Sequence, residues 1–261
     1  MVHHSAMHKP DLPTRRLLLI ALCLTGAHSQ AQGAALQVAA ASSLAGVMPE
    51  LARGFESQHG GTRLEWRAKG SGLLLDGMAQ GQATDLLLAS DGDTITRGVQ
   101  RKLLRAESVR AFAGNSLVLL VPAASRLPIQ RLTDLGRSEV QRVAVARPTS
   151  APAGRYARQA IDAARMWPSV QRKIVLADSA RGALDLLLRD EADAALVYLS
   201  DGLSAGTAVR EVAVLTGHEP IRLTAAVAQA SRQPEAAARF IQHLRGEAAR
   251  VVLVGAGFSV L

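Results

Sequence analysis

Apolar positions fall along the chain in two alternating rhythms. Leu36, Val38 and Ala40 lie in a short, almost wholly apolar run that suits a buried strand, and Leu44, Val47, Met48, Leu51 and Phe55 then recur at helical spacing. Ser42 and Ser43 therefore lie at a turn from strand to helix. The same order repeats: Arg63-Leu64-Glu65-Trp66 reads as a strand, Lys69-Gly70-Ser71-Gly72 as a turn, and Leu73, Leu74, Leu75 and Met78 as a helix. Thr84 to Asp91 gives a third strand with a polar end, and Ile95, Val99 and Leu103 mark the helix after it. Strands alternating with helices predict a parallel sheet covered on both faces, in which ligands gather at the carboxyl ends of the strands. Ser43 and Ser71 both lie at that end.

A second series begins near Gly114. Asn115 to Pro122 is an apolar strand stopped by proline, followed by strands at Val143 to Ala146, Lys173 to Leu176 and Ala194 to Tyr198, with helices after Pro152 and from about Ser179. Ile221 to Ala228 alternates like a returning strand, and helices at Pro234 to Leu244 and Glu247 to Val254 close the chain. This predicts an α/β protein of two lobes: residues 32–114 with 223–261, and 115–222. No internal sequence repeat stands out.

The chain has 261 residues, of which 48% are hydrophobic and only 3% aromatic, enough for a large aliphatic core. Before the first strand, Lys9, Arg15 and Arg16 precede the run Leu17 to Leu24, which is too short to span a bilayer and is followed by small and polar residues. This is the pattern of a secretory signal, cleaved after Ser29 or Ala31. Arg15-Arg16 leaves a twin-arginine route open beside the general one. Ile20-Ala21-Leu22-Cys23 has a bulky Leu22 where a lipoprotein box needs a small residue. A cut after Ala31 removes Lys9, Arg15, Arg16 and Asp11, taking the net charge from +8 to +6. It also removes Cys23, the one cysteine, so the working chain has no disulfide and no thiolate metal site. Exactness of cleavage aside, the expected location is the periplasm. The 30 Lys and Arg residues are scattered and form no basic stripe interleaved with aromatics, which argues against nucleic acid.

Several turns carry candidate chemistry. A helix start offers unpaired N–H groups and the positive end of a dipole, so it suits an anion. At Ser42-Ser43 and at Gly70-Ser71-Gly72 a hydroxyl adds a donor, and the glycines leave Ser71 open to close approach. In Pro152-Ala153-Gly154, and at Ser179-Ala180, helices start with little side chain over the backbone; Tyr198 closes a strand. The plainer reading is that the serines cap helices and the tyrosine is core. Gly70-Ser71-Gly72 lacks the Gly-Lys-Ser of a phosphate loop and is no nucleophile elbow. A serine hydrolase needs a histidine base; past the leader the candidates are His59, His218 and His243, and only His218 occupies a loop able to reach a cleft.

Seven short motifs occur in order: Ala-Ala-Ser-Ser-Leu at 40–44, Gly-Ser-Gly-x-Leu at 70–74, Asp-Leu-x-x-Ala-Ser-Asp at 85–91, Gly-Asn-Ser-Leu-Val-Leu at 114–119, Pro-Ala-Gly-x-Tyr-Ala at 152–157, Ala-Arg-Gly-Ala-Leu at 180–184 and Val-Tyr-x-Ser-Asp at 197–201. Together they resemble the periplasmic molybdate-binding proteins of bacterial ABC importers over nearly the whole chain past the leader. The resemblance implies a two-lobed periplasmic binding protein fold (type II, double crossover), with molybdate or tungstate held in the interlobe cleft by Ser43, Ser71, Ala153, Ala180 and Tyr198. Ser42 is a possible addition, since it stands where alanine is common. The resemblance also implies a monomer serving a membrane permease and an ATPase. It implies no cofactor, no enzymatic activity, and molybdenum only as the bound oxyanion. Lys69 departs from the pattern by placing a charge near neutral donors.

The chemistry fits that expectation. A tetrahedral dianion presents only acceptors, so hydroxyls and N–H groups satisfy it fully. Hydrogen phosphate carries a proton that a donor-only pocket leaves unpaired, at about 1–3 kcal/mol. Sulfate remains an alternative ligand on the same scaffold, because its rejection rests on cavity size.

Overall fold

The computed structural model describes residues 1–4 and 35–261; residues 1–4 are exposed and carry no regular structure. The expected cleavage region near 29–31, the Arg15-Arg16 pair and Cys23 lie outside the described residues.

The elements from residue 36 onward are β1 (Leu36–Ala41), α1 (Met48–Gln58), β2 (Leu64–Lys69), α2 (Ser71–Ala79), β3 (Leu86–Ala89), α3 (Gly92–Gln100), β4 (Arg110–Asn115), β5 (Leu117–Pro122), β6 (Val143–Ala146), α4 (Pro152–Ala163), α5 (Trp167–Val170), β7 (Ile174–Ala177), α6 (Ala180–Leu188), β8 (Ala194–Tyr198), α7 (Leu199–Ser204), β9 (Val209–Val214), β10 (Ile221–Val227), α8 (Pro234–Leu244) and α9 (Glu247–Gly255). They build two five-stranded sheets, ordered β2-β1-β3-β10-β4 and β7-β6-β8-β5-β9. Each sheet is the frame of one lobe.

The sheets are mixed, which corrects the expectation of purely parallel ones. β1 pairs in parallel with β2 and β3, but β10 runs antiparallel to β3 and β4. In the second sheet β6 pairs in parallel with β7 and β8, while β5 is antiparallel to β8 and β9. The cause is the double crossing. β4 ends at Asn115 and β5 begins at Leu117, so the chain steps straight from one sheet into the other. A strand that enters a lobe from the shared side runs away from it, against the parallel strands that finish there. β5 does this in the second lobe and β10 does it on the return.

The continuous apolar runs are explained by burial on both faces. In β1, Leu36, Val38 and Ala40 face the main core, whereas Ala39 faces a smaller cluster with Leu74, Leu75, Leu87 and Ile95. α8 packs on β4, β10 and α1, and α9 on α1 and α8. Phe240 of α8 meets Phe55 of α1 edge-on with ring centroids 5.0 Å apart. Both rings are fully buried, and truncating either to alanine removes about 3–5 kcal/mol.

Two strands went unexpected. β4 (Arg-Ala-Phe-Ala-Gly-Asn) and β9 (Val-Arg-Glu-Val-Ala-Val) each lie at one edge of a sheet; β4 has small residues around its single aromatic, and β9 is largely exposed, so neither shows a continuous apolar run. The helix expected after the Ser42-Ser43 turn is also divided. Ser42–Leu44 forms one 3-10 turn, and α1 begins only at Met48.

Candidate functional site

The carboxyl ends of the parallel strands carry the predicted residues, as the strand and helix alternation requires. Ser42 and Ser43 follow β1, Ser71 follows β2, Ala153 and Ala180 lie just past β6 and β7, and Tyr198 ends β8. Ser43, Ser71, Ala153, Ala180 and Tyr198 are all buried, with Ser42 half-buried.

The two lobes meet at these ends. The Gly72 N–H of α2 donates to the Ser150 carbonyl of the opposite lobe at 3.1 Å, and the Ser42–Leu44 turn packs against α6. A methyl group on Gly70 would stand 2.6 Å from the Asp178 carbonyl oxygen, and one on Gly72 would collide with that of Ser150. These glycines thus admit the other lobe's backbone. That corrects the expectation that they open Ser71 to a ligand, since the closest atoms are main chain across the cleft.

The capping reading of the serines fails at both positions. The 3-10 turn is preceded by Ala41 and α2 by Gly70, neither start has a side-chain cap, and Ser71 is itself the first helical residue. The Ser71 hydroxyl accepts from the Ser90 N–H at 3.1 Å and lies 3.2 Å from the Ser90 hydroxyl. The Ser43 hydroxyl is buried with no hydrogen-bond partner among the described residues. In contrast, Ser179 caps α6 by accepting from the Gly182 N–H at 3.0 Å. This leaves Ala180 as the first helical residue, where the helix supplies no acceptor for its N–H; Ala153, second in α4 after Pro152, is placed likewise.

The Tyr198 hydroxyl is likewise buried without a partner among the described residues. Burial pushes its pKa well above the usual phenol value, and the Ser90 hydroxyl lies close enough to ease that shift without completing a hydrogen bond. Burial likewise raises the neighbouring Tyr156 to about 12. Both phenols hold their protons at neutral pH and remain donors. Ser90 is the residue sequence reasoning missed; the polar end of the third strand was the available signal.

Charge enters at the edge of this donor set. Asp91 caps α3, with one carboxylate oxygen accepting from the Thr94 N–H at 3.3 Å and from Arg155 of α4. Its other oxygen, Oδ1, is buried without a partner. Asp201 lines a cavity of about 270 Å³ together with Ser42, Ser43, Arg181 and Phe258, drawn from both lobes. Burial raises its pKa to about 7, against the lowering effect of the Tyr198 backbone and Arg181. Lys69 is exposed at the end of β2.

Buried donors without a partner also occur away from this set, at Arg67 Nε and Arg105 Nε. A cavity of about 730 Å³ lies at the opposite ends of β1 and β3, and its buried Asp85 is fully engaged by the N–H groups of Gln37 and Arg232 and by the Ser231 hydroxyl. The ring nitrogens of His218 face the Glu219 and Leu215 carbonyl oxygens at 2.7 and 3.1 Å, and His59 and His243 pack on Phe55. None is in hydrogen-bonding contact with a serine hydroxyl among the described residues.

Two lobes joined by a double crossing, with hydroxyls and helix starts facing one another across the junction, define a binding protein of the periplasmic type. The chain belongs to the bacterial extracellular solute-binding proteins, whose family model matches residues 36–259. It is 27% identical over 239 residues to the molybdate-binding protein ModA of Haemophilus influenzae, which spans 88% of this chain and 92% of that one. The periplasmic molybdate-binding protein of Azotobacter vinelandii matches with a TM-score of 0.77 at 20% identity, over 87% of this chain and 99% of that chain. The sulfate-binding protein SubI of Mycobacterium tuberculosis H37Rv matches at 0.75 and 19% identity, over 87% of each. At these identities the two structures bear on the fold, which is the two-lobed, type II periplasmic binding protein fold.

Proposed function

We propose that this protein is the substrate-binding component of a molybdate and tungstate ABC importer. On this reading the oxyanion is held between the lobes by the Ser43, Ser71 and Tyr198 hydroxyls and the Ala153 and Ala180 N–H groups, with Ser42 as a possible further donor. The observation that carries it is the pair of buried, unpartnered hydroxyls on Ser43 and Tyr198. A buried polar group without a partner costs about 1–3 kcal/mol, and an acceptor-only dianion removes that penalty at both. Helix starts add positive potential. The similarity to ModA supports molybdate among the tetrahedral dianions.

The same reading takes residues 1–31 as a signal cleaved near 29–31, places the mature chain in the periplasm as a monomer, and gives it a membrane permease and an ATPase as partners. It assigns 32–114 with 223–261 to one lobe and 115–222 to the other, and it assigns no cofactor and no enzymatic step. Titration calorimetry of the mature protein with molybdate, tungstate, sulfate and phosphate tests it. One site for molybdate and tungstate is expected, with sulfate weaker and phosphate weakest. Sulfate binding tighter than molybdate would make this a sulfate binder. Phosphate binding as tight as molybdate would show that a carboxylate, Asp91 or Asp201, accepts the ligand proton.

A further inference from the structure

Arg155 follows the Pro-Ala-Gly start of α4 in the second lobe, yet its guanidinium reaches into the first. It is bonded to Asp91, whose side chain is 2% exposed, and stands 3.7 Å from the carboxylate of Asp93, which is 70% exposed. Asp91 follows Ser90, and the Ser90 hydroxyl pairs with Ser71 and lies beside Tyr198. A buried carboxylate therefore sits next to residues taken above to hold a dianion. Like charges there would repel, and a buried carboxylate without a cation is itself strongly unfavourable. Arg155 is the cation at that carboxylate, and it arrives only when the lobes are together.

We propose that Arg155 is a cross-cleft latch that neutralises Asp91, so that closing the lobes both seals the cleft and removes the charge that would oppose the ligand. The neutralising half rests on the oxyanion reading above; the latch itself rests on the ion pair. In the open form Asp91 regains water and loses Arg155, which disfavours the dianion and helps to expel it. Arg155 is thus a positioning residue that acts through Asp91 and need not touch the ligand. The titratable groups facing the pair are the charged Asp93 on α3 and, from the second lobe, the neutral phenols of Tyr156 and Tyr198.

The test is a double-mutant cycle of Arg155→Ala and Asp91→Asn in the mature chain, read by molybdate affinity and stopped-flow dissociation rate. Asparagine caps a helix about as well as aspartate, so Asp91→Asn keeps the start of α3. Arg155→Ala is expected to raise the dissociation constant at least 30-fold, mostly through faster dissociation. Adding Asp91→Asn should recover at least fivefold of that loss, because no buried charge is then left unpaired. Arg155→Lys, which keeps the charge but loses the planar fork, should fall between. Strictly additive effects, or an unchanged dissociation rate in Arg155→Ala, would overturn the latch. A drop in thermal midpoint without a change in dissociation rate would reduce Arg155 to a structural role and overturn it equally. If the wild type binds none of molybdate, tungstate and sulfate, the oxyanion reading falls, and small-angle scattering without ligand decides the latch alone. A larger radius of gyration in Arg155→Ala than in wild type supports it, and equal radii reject it.

Discussion

The two lobes share one frame and use it differently. Each sheet has three parallel strands, then an antiparallel strand entering from the other lobe, then an antiparallel edge: β2-β1-β3-β10-β4 against β7-β6-β8-β5-β9. The first lobe presents side-chain hydroxyls at its strand ends, from Ser43, Ser71 and Ser90. The second presents bare helix starts at Ala153 and Ala180, with one phenol from Tyr198. A frame of this kind fixes where donors stand, because strand ends and helix starts coincide by construction. It leaves open whether a donor is side chain or backbone. The first lobe's part of the site should therefore be sensitive to side-chain truncation. The second lobe's should, apart from the Tyr198 hydroxyl, tolerate truncation and fail only when an N–H is removed.

The harshest way to break this contrast is Ser43→Asp. The Ser43 hydroxyl caps nothing, so an aspartate there gains no helix contact and, on the proposed reading, would face the dianion, with repulsion of several kcal/mol. Binding should vanish in calorimetry while circular dichroism stays native. Ser43→Ala should weaken binding by about 1.5–3 kcal/mol, the range for a hydrogen bond to a charged group. Wild-type affinity in Ser43→Asp would remove Ser43 from the site, and Ser42→Asp is the neighbouring control.

The buried carboxylates give the next contrast: each keeps one oxygen without a partner among the described residues, but Asp91 in the first lobe is ion-paired to an arginine and Asp201 in the second is in no ion pair there. Asp201 titrates near 7 in the folded chain, above its ordinary value of 3.8, so the folded state binds the proton more tightly than the unfolded one. Stability from this group is present below the unfolded value and is lost as pH rises through about 7. Between pH 5 and 8 the loss is about 2–3 kcal/mol from the size of the shift. Urea unfolding at both pH values should show that decline in wild type and a flatter profile in Asp201→Asn. Equal declines in the two would mean that Asp201 is ionised throughout.

The finest test is Ala180→Pro. Proline is well suited to the first helical position, and Ser179 before it is already extended at φ −158°, as a residue preceding proline prefers. The substitution deletes one N–H donor and little else. The thermal midpoint should hold while molybdate affinity drops by about 1–3 kcal/mol. Ala180→Ser, which keeps the N–H, should bind nearly as wild type. If Ala180→Pro binds normally, the second lobe does not use this N–H, and the contrast between the lobes narrows to Tyr198.

Much of the architecture was legible in the chain. Val143 to Ala146, Ala194 to Tyr198 and Pro234 to Leu244 fall on their elements as the apolar pattern placed them. β4 and β9 did not show: β9 is largely exposed and carries charge at Arg210 and Glu211, and β4 is built mostly of small residues around Phe112. The residues bearing hydroxyls and helix starts were visible as types at turns. Their roles were not: Ser179 proved to be a cap, whereas Ser43 and Ser71 did not. A cap and a ligand donor occupy the same place in a sequence, and they differ only in where the side chain turns.

The sequence by itself determined the alternation of strands and helices, the step near Gly114 into a second series, and the hydroxyl residues and helix starts that fall at the strand ends. These depend on local spacing and on which residues are apolar, and both are written along the chain. Only the tertiary structure decided the direction of β5 and β10, the use of Gly70 and Gly72 to admit the opposing backbone, and the meeting of Arg155 with Asp91. Each joins residues that are far apart in the chain and brought together by the crossing between lobes. The Arg155 and Asp91 pair is separated by 64 positions, and nothing in the local pattern of either segment marks the other.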